Sequence, residues 1–219
     1  MEGIKPMIEY VFPHNIDDRV LKRADFCLKD DGLIALPTDS SWSICCSIKS
    51  KTGIEKLRKL KGGMKDYTIS VICENIRQIE EIATLSTPHF KLIRKLTPGP
   101  YVFILPARKH IEKTINMKRA EIGIRIPDHP LPCRLILQHE SPLFAVTASR
   151  TMASREWRDD SFAEENLFNQ GWELEEIPGI DRIIDTGEVL PKLLSTVLDL
   201  TGDEIEVVRE GIGPVGILD

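Results

Sequence analysis

Apolar and polar positions follow one another with spacings that predict helices and strands in turn. Over residues 16–31, apolar side chains recur every three or four positions, which predicts an amphipathic helix, and Gly32 suits the stop after it. Two short apolar runs follow, residues 33–37 and 44–48, on either side of the polar turn TDSSWS. Such runs are typical of buried strands, so the chain begins with a helix followed by two strands.

The remaining segments extend this alternation. Helices are predicted over residues 52–60, 75–84, 87–96 and 131–139, and around 160–168. Strands are predicted over residues 68–73, 101–105, 122–126, 143–148, 182–186, 195–200 and 204–208. Helices and strands alternate at first, and strands dominate near the end. The pattern predicts an α/β fold with a mixed sheet in one main domain, residues 1–219.

Composition narrows the class of protein further. The 219 residues contain no stretch near the roughly 18 apolar residues of a membrane helix, and MEGIKPMIEY lacks the apolar core of a secretory signal. Five cysteines occur without a C-x-x-C pair, and four of them lie in apolar runs, so we expect buried thiols in a reducing cytoplasm. The five histidines show no metal-ligand spacing, so no metal site is expected.

The net charge of −5 hides a strong asymmetry along the chain. Residues 49–125 carry 17 basic and 7 acidic side chains, a net charge of +10. Residues 156–219 carry 4 basic and 17 acidic side chains, a net charge of −13. Either the basic third faces a polyanion such as ATP, pyrophosphate or RNA, or the two thirds pack together and neutralise each other.

Several polar segments could hold a ligand. The hydroxyl-rich turn at residues 37–43 follows a buried strand, where open α/β sheets often bind ligands, although its side chains could equally stabilise the turn itself. Lys61 precedes two glycines, an arrangement that suits either a phosphate contact or an ordinary helix end. Arg125 lies in a strand on the same face as Gly123, so its charge needs a partner or a ligand.

Together these segments resemble the YrdC-like family, which includes the L-threonylcarbamoyladenylate synthases. Four blocks occur in the order found in that family: LIALPTDSSWSI, LRKLKGG, TPGPYVFIL with IGIRIPDHP, and STVLDLTGDEIEVVREGIG. The third block and the REGIG ending are most similar to the YciO branch. The resemblance implies an open, twisted mixed sheet flanked by helices.

The resemblance also implies a reaction. Synthases of this family condense L-threonine, bicarbonate and ATP to threonylcarbamoyl-adenylate and pyrophosphate, the first step toward a modified adenosine in tRNA. Mg²⁺ would accompany ATP as its counter-ion. Such a site must hold two anions together and stabilise the departing pyrophosphate, which requires orientation and positive charge.

Family positions can be carried to this chain residue by residue. The family lysine falls on Lys61, but the family arginine falls on Gly63, where the guanidinium is missing. The resemblance makes Lys61 and Arg125 the catalytic phosphate contacts. The implied nucleotide contacts are Thr147, Ser149, Ser195, Thr196 and Arg209, and the implied substrate contacts are Thr38, Ser40 and Trp42.

Two functions are therefore left open. The first is an ATP-dependent enzyme with the family reaction or a related one. The second is a non-catalytic module that binds nucleotide or double-stranded RNA, as has been described for proteins of this family. The acyl substrate, the RNA partner and the oligomeric state are not determined by the sequence.

Overall fold

The computed structural model describes residues 5–61, 69–115, 120–154, 163–202 and 204–216. The strands in these ranges are β1 (Met7–Tyr10), β2 (Ile34–Leu36), β3 (Ser43–Ser47), β4 (Ser70–Ile72), β5 (Tyr101–Pro106), β6 (Glu121–Arg125), β7 (Leu143–Thr147), β8 (Arg182–Asp185), β9 (Thr196–Asp199) and β10 (Glu206–Arg209). The α-helices are α1 (Asp18–Lys29), α2 (Lys51–Leu60), α3 (Ile76–Ile82), α4 (Thr87–Leu96), α5 (Lys109–Ile115), α6 (Pro130–His139) and α7 (Thr151–Ser154).

Most elements lie where the periodicity places them, with bounds that differ by one or two residues. The elements β1, α5 and α7 were not predicted, because they are short and carry too little periodic pattern to be recognised. The helix expected around 160–168 is wrong over residues 164–166, which form a 3₁₀ turn. Residues 155–162 lie outside the described residues.

The strands form one mixed sheet in the order β1-β8-β2-β3-β7-β4-β6-β5-β9-β10. The pairs β1·β8, β2·β8, β4·β6 and β5·β9 are parallel, and the other neighbouring pairs are antiparallel. This arrangement confirms the predicted α/β class with an open mixed sheet flanked by helices.

Helices cover one face of the sheet across its middle strands. The apolar sides of α2, α3, α4 and α5 contribute residues such as Leu57, Ile79, Ile93 and Ile111 to the larger core cluster. Their partners on the sheet include Phe103, and each of these side chains is at most 5% exposed. Burial of these side chains, at roughly 1.5–3 kcal/mol each, is the main stabilising contribution on this face.

The opposite face is covered over only part of its width. Helices α1 and α6 pack here through residues such as Leu28 and Leu135, against side chains of β2, β3, β7 and β8. Farther along the sheet, the strand β5 alternates buried Tyr101 and Phe103 with half-buried Val102 and Ile104. Since neighbouring strand residues point to opposite faces, the second pair faces the uncovered part. Among the described residues, no helix packs over this part of the sheet, and a cleft lies over the strands from β7 to β10.

Three of the cysteines are buried as expected, namely Cys45, Cys46 and Cys73. Cys27, which was also expected to be buried, is half-buried, as is Cys133. Burial raises the pKa of the Cys46 thiol to about 12, so this thiol is uncharged at neutral pH.

Candidate functional site

The uncovered part of the sheet forms a cleft of about 470 Å³. Three basic side chains line it, Lys61 after α2, Arg125 at the end of β6 and Arg209 at the end of β10. Apolar side chains of β5, β9 and β10 form one wall, and hydroxyl groups of Ser43, Thr147 and Ser195 contribute polar contacts. The fold thus brings together cations that are far apart in the sequence.

Small residues at the floor of the cleft leave space for a ligand. Ser70 pairs with Ala145 on one side and with Gly123 on the other, so three small residues lie side by side on neighbouring strands. A Cβ atom on Gly123 would lie 3.1 Å from Val102 Cγ1 and 3.2 Å from Ser70 Oγ. The absence of a side chain at Gly123 therefore preserves space in the cleft.

Lys61 is the residue that ends α2, and its side chain is buried. The helix begins at Ser50, whose hydroxyl accepts a bond from Gly53 N at 2.6 Å. Burial, together with the nearby charge of Arg209, lowers the pKa of the Lys61 ammonium to about 8. A buried cation near a second cation is costly to the fold, and a bound anion would relieve that cost.

Arg125 is held by the hydroxyl-rich turn that follows β2. Its Nη2 forms an ion pair with Asp39 and donates to Ser40 Oγ at 3.0 Å. The other oxygen of Asp39 accepts a bond from Asp128 N at 3.0 Å, and Arg125 Nε is buried without a hydrogen-bond partner. Burial lowers the pKa of Arg125 despite the neighbouring carboxylate. Asp39 was not among the predicted site residues, although the need of Arg125 for an opposite charge indicated such a residue.

The same turn is stabilised by its own side chains and also reaches across the cleft. Thr38 Oγ1 donates to Ser41 O at 2.7 Å and accepts bonds from the amides of Ser40 and Ser41, both at 3.3 Å. Ser40 Oγ lies 3.2 Å from Ser195 Oγ, which precedes β9. The turn is therefore stabilised by its own side chains, and a ligand contact from it stays a prediction.

Arg209 and Thr196 shape the far side of the cleft. The Arg209 guanidinium donates twice to Ser195 O, at 3.1 and 2.8 Å. Burial and the charge of Arg125 lower the pKa of Arg209. Thr196 is fully buried, donates to Gly213 O at 2.5 Å and accepts from Gly211 N at 3.0 Å, so it holds the turn after β10 in place.

Five residues expected in the site lie outside the cleft lining, namely Thr38, Ser40, Trp42, Ser149 and Thr196. Trp42 is 1% exposed within the core, where Gly171 approaches it closely. Ser149 lies two residues beyond the end of β7, is buried and lies 3.0 Å from Thr151 Oγ1 through its hydroxyl. Gly63, at the position of the family arginine, is outside the described residues. The roles assigned to Trp42 and Ser149 stay predictions.

The described part of the cleft is rich in positive charge. Lys61, Arg125 and Arg209 bring three cations together there, and Asp39 forms an ion pair with Arg125. Among the described residues, no group of three His, Cys, Asp or Glu side chains is arranged to hold a metal ion. Cations, hydroxyls and an unpartnered guanidinium NH suit a phosphate or carboxylate ligand.

An open α/β sheet with a cationic cleft defines the general class of this protein. The Sua5/YciO/YrdC family model, described as "Telomere recombination", matches residues 27–211. The chain therefore belongs to this family, as the sequence motifs predicted.

Relatives and solved structures agree with this assignment. The YciO protein of Escherichia coli K12 is 27% identical over 207 residues, covering 94% of this chain and 96% of YciO. The threonylcarbamoyl-AMP synthase of Psychromonas ingrahamii is 28% identical over 125 residues, covering 56% of this chain and 65% of the synthase. The crystal structure of E. coli YciO superimposes with a TM-score of 0.81 at 26% identity, covering 96% of this chain and 98% of YciO.

A further solved structure supports the fold alone. The crystal structure of P. abyssi Sua5 complexed with L-threonine superimposes with a TM-score of 0.78 at 21% identity, covering 97% of this chain and 59% of Sua5. Within the described residues, no helix of this chain is long and apolar enough to cross a membrane.

Proposed function

We propose that the cleft binds ATP and forms a carbamoyl-adenylate of an amino acid, with L-threonine as the first candidate. The observation that carries this proposal is the convergence of Lys61, Arg125 and Arg209 with several hydroxyl groups on the uncovered sheet face. Threonylcarbamoyl-AMP synthases among the relatives support ATP use and L-threonine as the amino acid.

The proposed chemistry has two steps. The amine of threonine attacks CO2 derived from bicarbonate and loses a proton, which gives a carbamate. A carbamate oxygen then attacks the α-phosphorus of ATP, and pyrophosphate leaves with the electron pair of the broken P–O bond. Positive charge near the phosphates stabilises the negative charge that develops on the leaving group.

The geometry suggests a division of roles in this reaction. Lys61 and Arg125 contact phosphate oxygens, and Arg209 adds a second guanidinium to the cleft. Thr147, Ser149, Ser195 and Thr196 hold the nucleotide directly or through the backbone, while Thr38 and Ser40 contact the amino acid. Trp42 supports that turn from the core. Mg²⁺ would be bound mainly by the phosphates of ATP and by water.

The direct test is incubation with ATP, labelled bicarbonate and a panel of amino acids. We expect label to appear in an adenylate whose formation Lys61→Ala abolishes. The matched control is Lys59→Ala, which removes the same charge from an exposed position on the same helix. Equal activity in Lys61→Ala and the wild type would refute the site assignment, and no adenylate from any amino acid would refute the reaction.

A second candidate function is binding of double-stranded RNA. The helices on the covered face expose several basic side chains, namely Lys51, Lys59, Lys91, Arg94, Lys95, Lys109 and Lys113. Because α2 and α5 are in contact, part of this charge lies on one continuous surface. RNA would then bind outside the cleft by backbone electrostatics.

Retention of a double-stranded RNA duplex at increasing salt tests this second function. Each phosphate contact contributes about −0.9 to the slope of log K against log salt concentration for B-form DNA, and a comparable term applies here. Lys109→Ala combined with Lys113→Ala should flatten the slope, and ATP binding should not change. Salt-independent retention would argue against this function.

A further inference from the structure

Arg150 lies immediately beyond the strand that carries one of the proposed nucleotide contacts. Thr147 ends β7 and lines the cleft, and Ser149 follows two residues later. The backbone here is fixed by Ala148 N, which donates to Trp42 O at 2.8 Å, and by Arg150 N, which donates to Asn166 O at 2.9 Å. The side chain of Arg150 turns toward the acidic C-terminal third rather than lining the cleft.

The Arg150 guanidinium has three partners in that acidic third. It forms ion pairs with Glu173 and with Glu176, the second at 3.0 Å, and it lies 4.6 Å from the centre of the buried Phe168 ring. A planar guanidinium can stack flat on a ring while the N–H groups at its edge bond two carboxylates, a geometry that a compact ammonium does not reproduce. These contacts therefore depend on arginine specifically.

Glu173 links Arg150 to the backbone just before it in the chain. Its second carboxylate oxygen accepts bonds from Asn169 N and Gln170 N, both at 2.9 Å. Burial raises the pKa of Glu173, but these backbone bonds and Arg150 outweigh it and hold the pKa below the ordinary value. The carboxylate is thus charged at neutral pH.

Asn169 connects this cluster to the opposite side of the cleft. Its carbonyl accepts from Leu190 N at 2.9 Å, and its side chain donates to Leu190 O at 3.0 Å. Leu190 belongs to the segment between β8 and β9, which ends at Ser195 in the cleft. The Arg150–Glu173 pair therefore joins the strand end that carries Thr147 to the segment that delivers Ser195.

We infer that Arg150 is a positioning residue that sets Thr147 and Ser149 relative to Ser195 for nucleotide binding. This inference rests on the proposed function, because it concerns the same ligand. The same contacts give the acidic C-terminal third a role, because its residues Glu173 and Glu176 bond Arg150 behind the cleft. Hydroxyl groups that are already held in place lose less conformational freedom when the nucleotide binds. Loss of the Arg150 contacts should therefore weaken nucleotide affinity.

Titration calorimetry with ATP, with inorganic pyrophosphate and with L-threonine tests this inference on the full chain. We expect Arg150→Ala to weaken ATP binding about tenfold and Arg150→Lys to rescue little of it, with L-threonine affinity unchanged. The matched control is Lys5→Ala, which removes an exposed partner of Glu175 in the same acidic segment and should leave ATP affinity unchanged. The unfolding midpoint of each variant shows whether it is folded at the assay temperature.

The outcomes separate this inference from the proposed function. If the wild type binds ATP and both Arg150 variants bind it equally well, the positioning role is refuted and the proposed function stands. If ATP and threonine affinities fall together with the unfolding midpoint, Arg150 acts only on the stability of the fold, and the inference is again refuted. A wild type that binds neither ATP nor pyrophosphate refutes the proposed function and this inference with it.

Discussion

Two buried polar clusters lie on the same face of the sheet, one beneath helices α1 and α6 and one in the uncovered cleft. In the first, His139 Nδ1 lies 2.8 Å from Asp25 Oδ1, and His139 Nε2 lies 2.8 Å from Ser47 Oγ. Lys29 donates to the other oxygen of Asp25 at 2.7 Å. Each ring nitrogen and each carboxylate oxygen in this covered cluster has a partner within the protein.

The cleft cluster is organised differently. Among the described residues, it brings together three cations and the carboxylate of Asp39, and Arg125 Nε has no hydrogen-bond partner there. In the covered cluster, burial tends to raise the pKa of Asp25, but hydrogen bonds from Lys29 and His139 outweigh burial and hold that pKa below its ordinary value. In contrast, burial and like charge lower the pKa of Lys61 and Arg209. Mutually satisfied groups stabilise a fold, whereas unbalanced charges favour binding of an external anion.

The largest expected effect is on the covered cluster. His139→Ala leaves Asp25 and Ser47 buried without a common partner, so we expect the free energy of unfolding to fall by about 3 kcal/mol. Urea denaturation measures this change. His14→Ala, at an exposed position, should change it by less than about 0.5 kcal/mol. Equal changes in the free energy of unfolding in both variants would contradict the structural role of the covered cluster.

The second prediction has the opposite sign for stability. Lys61→Met removes a charge whose lowered pKa shows that the fold disfavours it, so we expect the protein to become more stable by about 1 kcal/mol. ATP affinity should fall about 100-fold, since a buried phosphate contact is lost. Calorimetry gives both values. A variant that loses stability and keeps its ATP affinity would show that Lys61 has a structural role.

The third prediction concerns pH. Since the pKa of Lys61 is about 8, the ammonium form that an anion prefers is present below pH 8 and is lost above it. We expect ATP affinity to be flat near pH 7 and to fall by up to about tenfold per pH unit above pH 8. Lys61→Arg should bind with no such decline up to pH 10, because arginine keeps its charge. An identical decline in both proteins would assign the titration to another group.

The smallest expected effect comes from the floor of the cleft. Gly123→Ala places a methyl group 3.1 Å from Val102 Cγ1, and both neighbouring side chains can shift slightly. We expect ATP affinity to fall about threefold, with a change in stability below about 1 kcal/mol. Gly216→Ala, where a Cβ atom meets nothing within 4 Å, serves as the control. A much larger loss of affinity would show that the ligand packs directly against Gly123.

Much of the cleft could be predicted from local pattern and motif. The resemblance carried Lys61, Arg125, Thr147, Ser195 and Arg209 to the site, and all five line the same cleft. Trp42 could not be placed by its motif position, because an aromatic residue after a polar turn fits a site and a core equally well. Its burial depends on the close approach of Gly171, which is far away in the sequence.

Periodicity by itself determined most of the longer helices and strands and the mixed α/β class, because backbone geometry imposes periods of 3.6 and 2 on apolar positions. The charge count also located a cationic middle segment. Only the tertiary structure decided that α1 and α6 cover part of one face and leave a cleft beside it. It also decided that Asp39 neutralises Arg125 and that Arg150 joins the acidic third to the strand end behind the cleft. These contacts join residues 23 to 86 positions apart, and no local spacing rule reports such pairs.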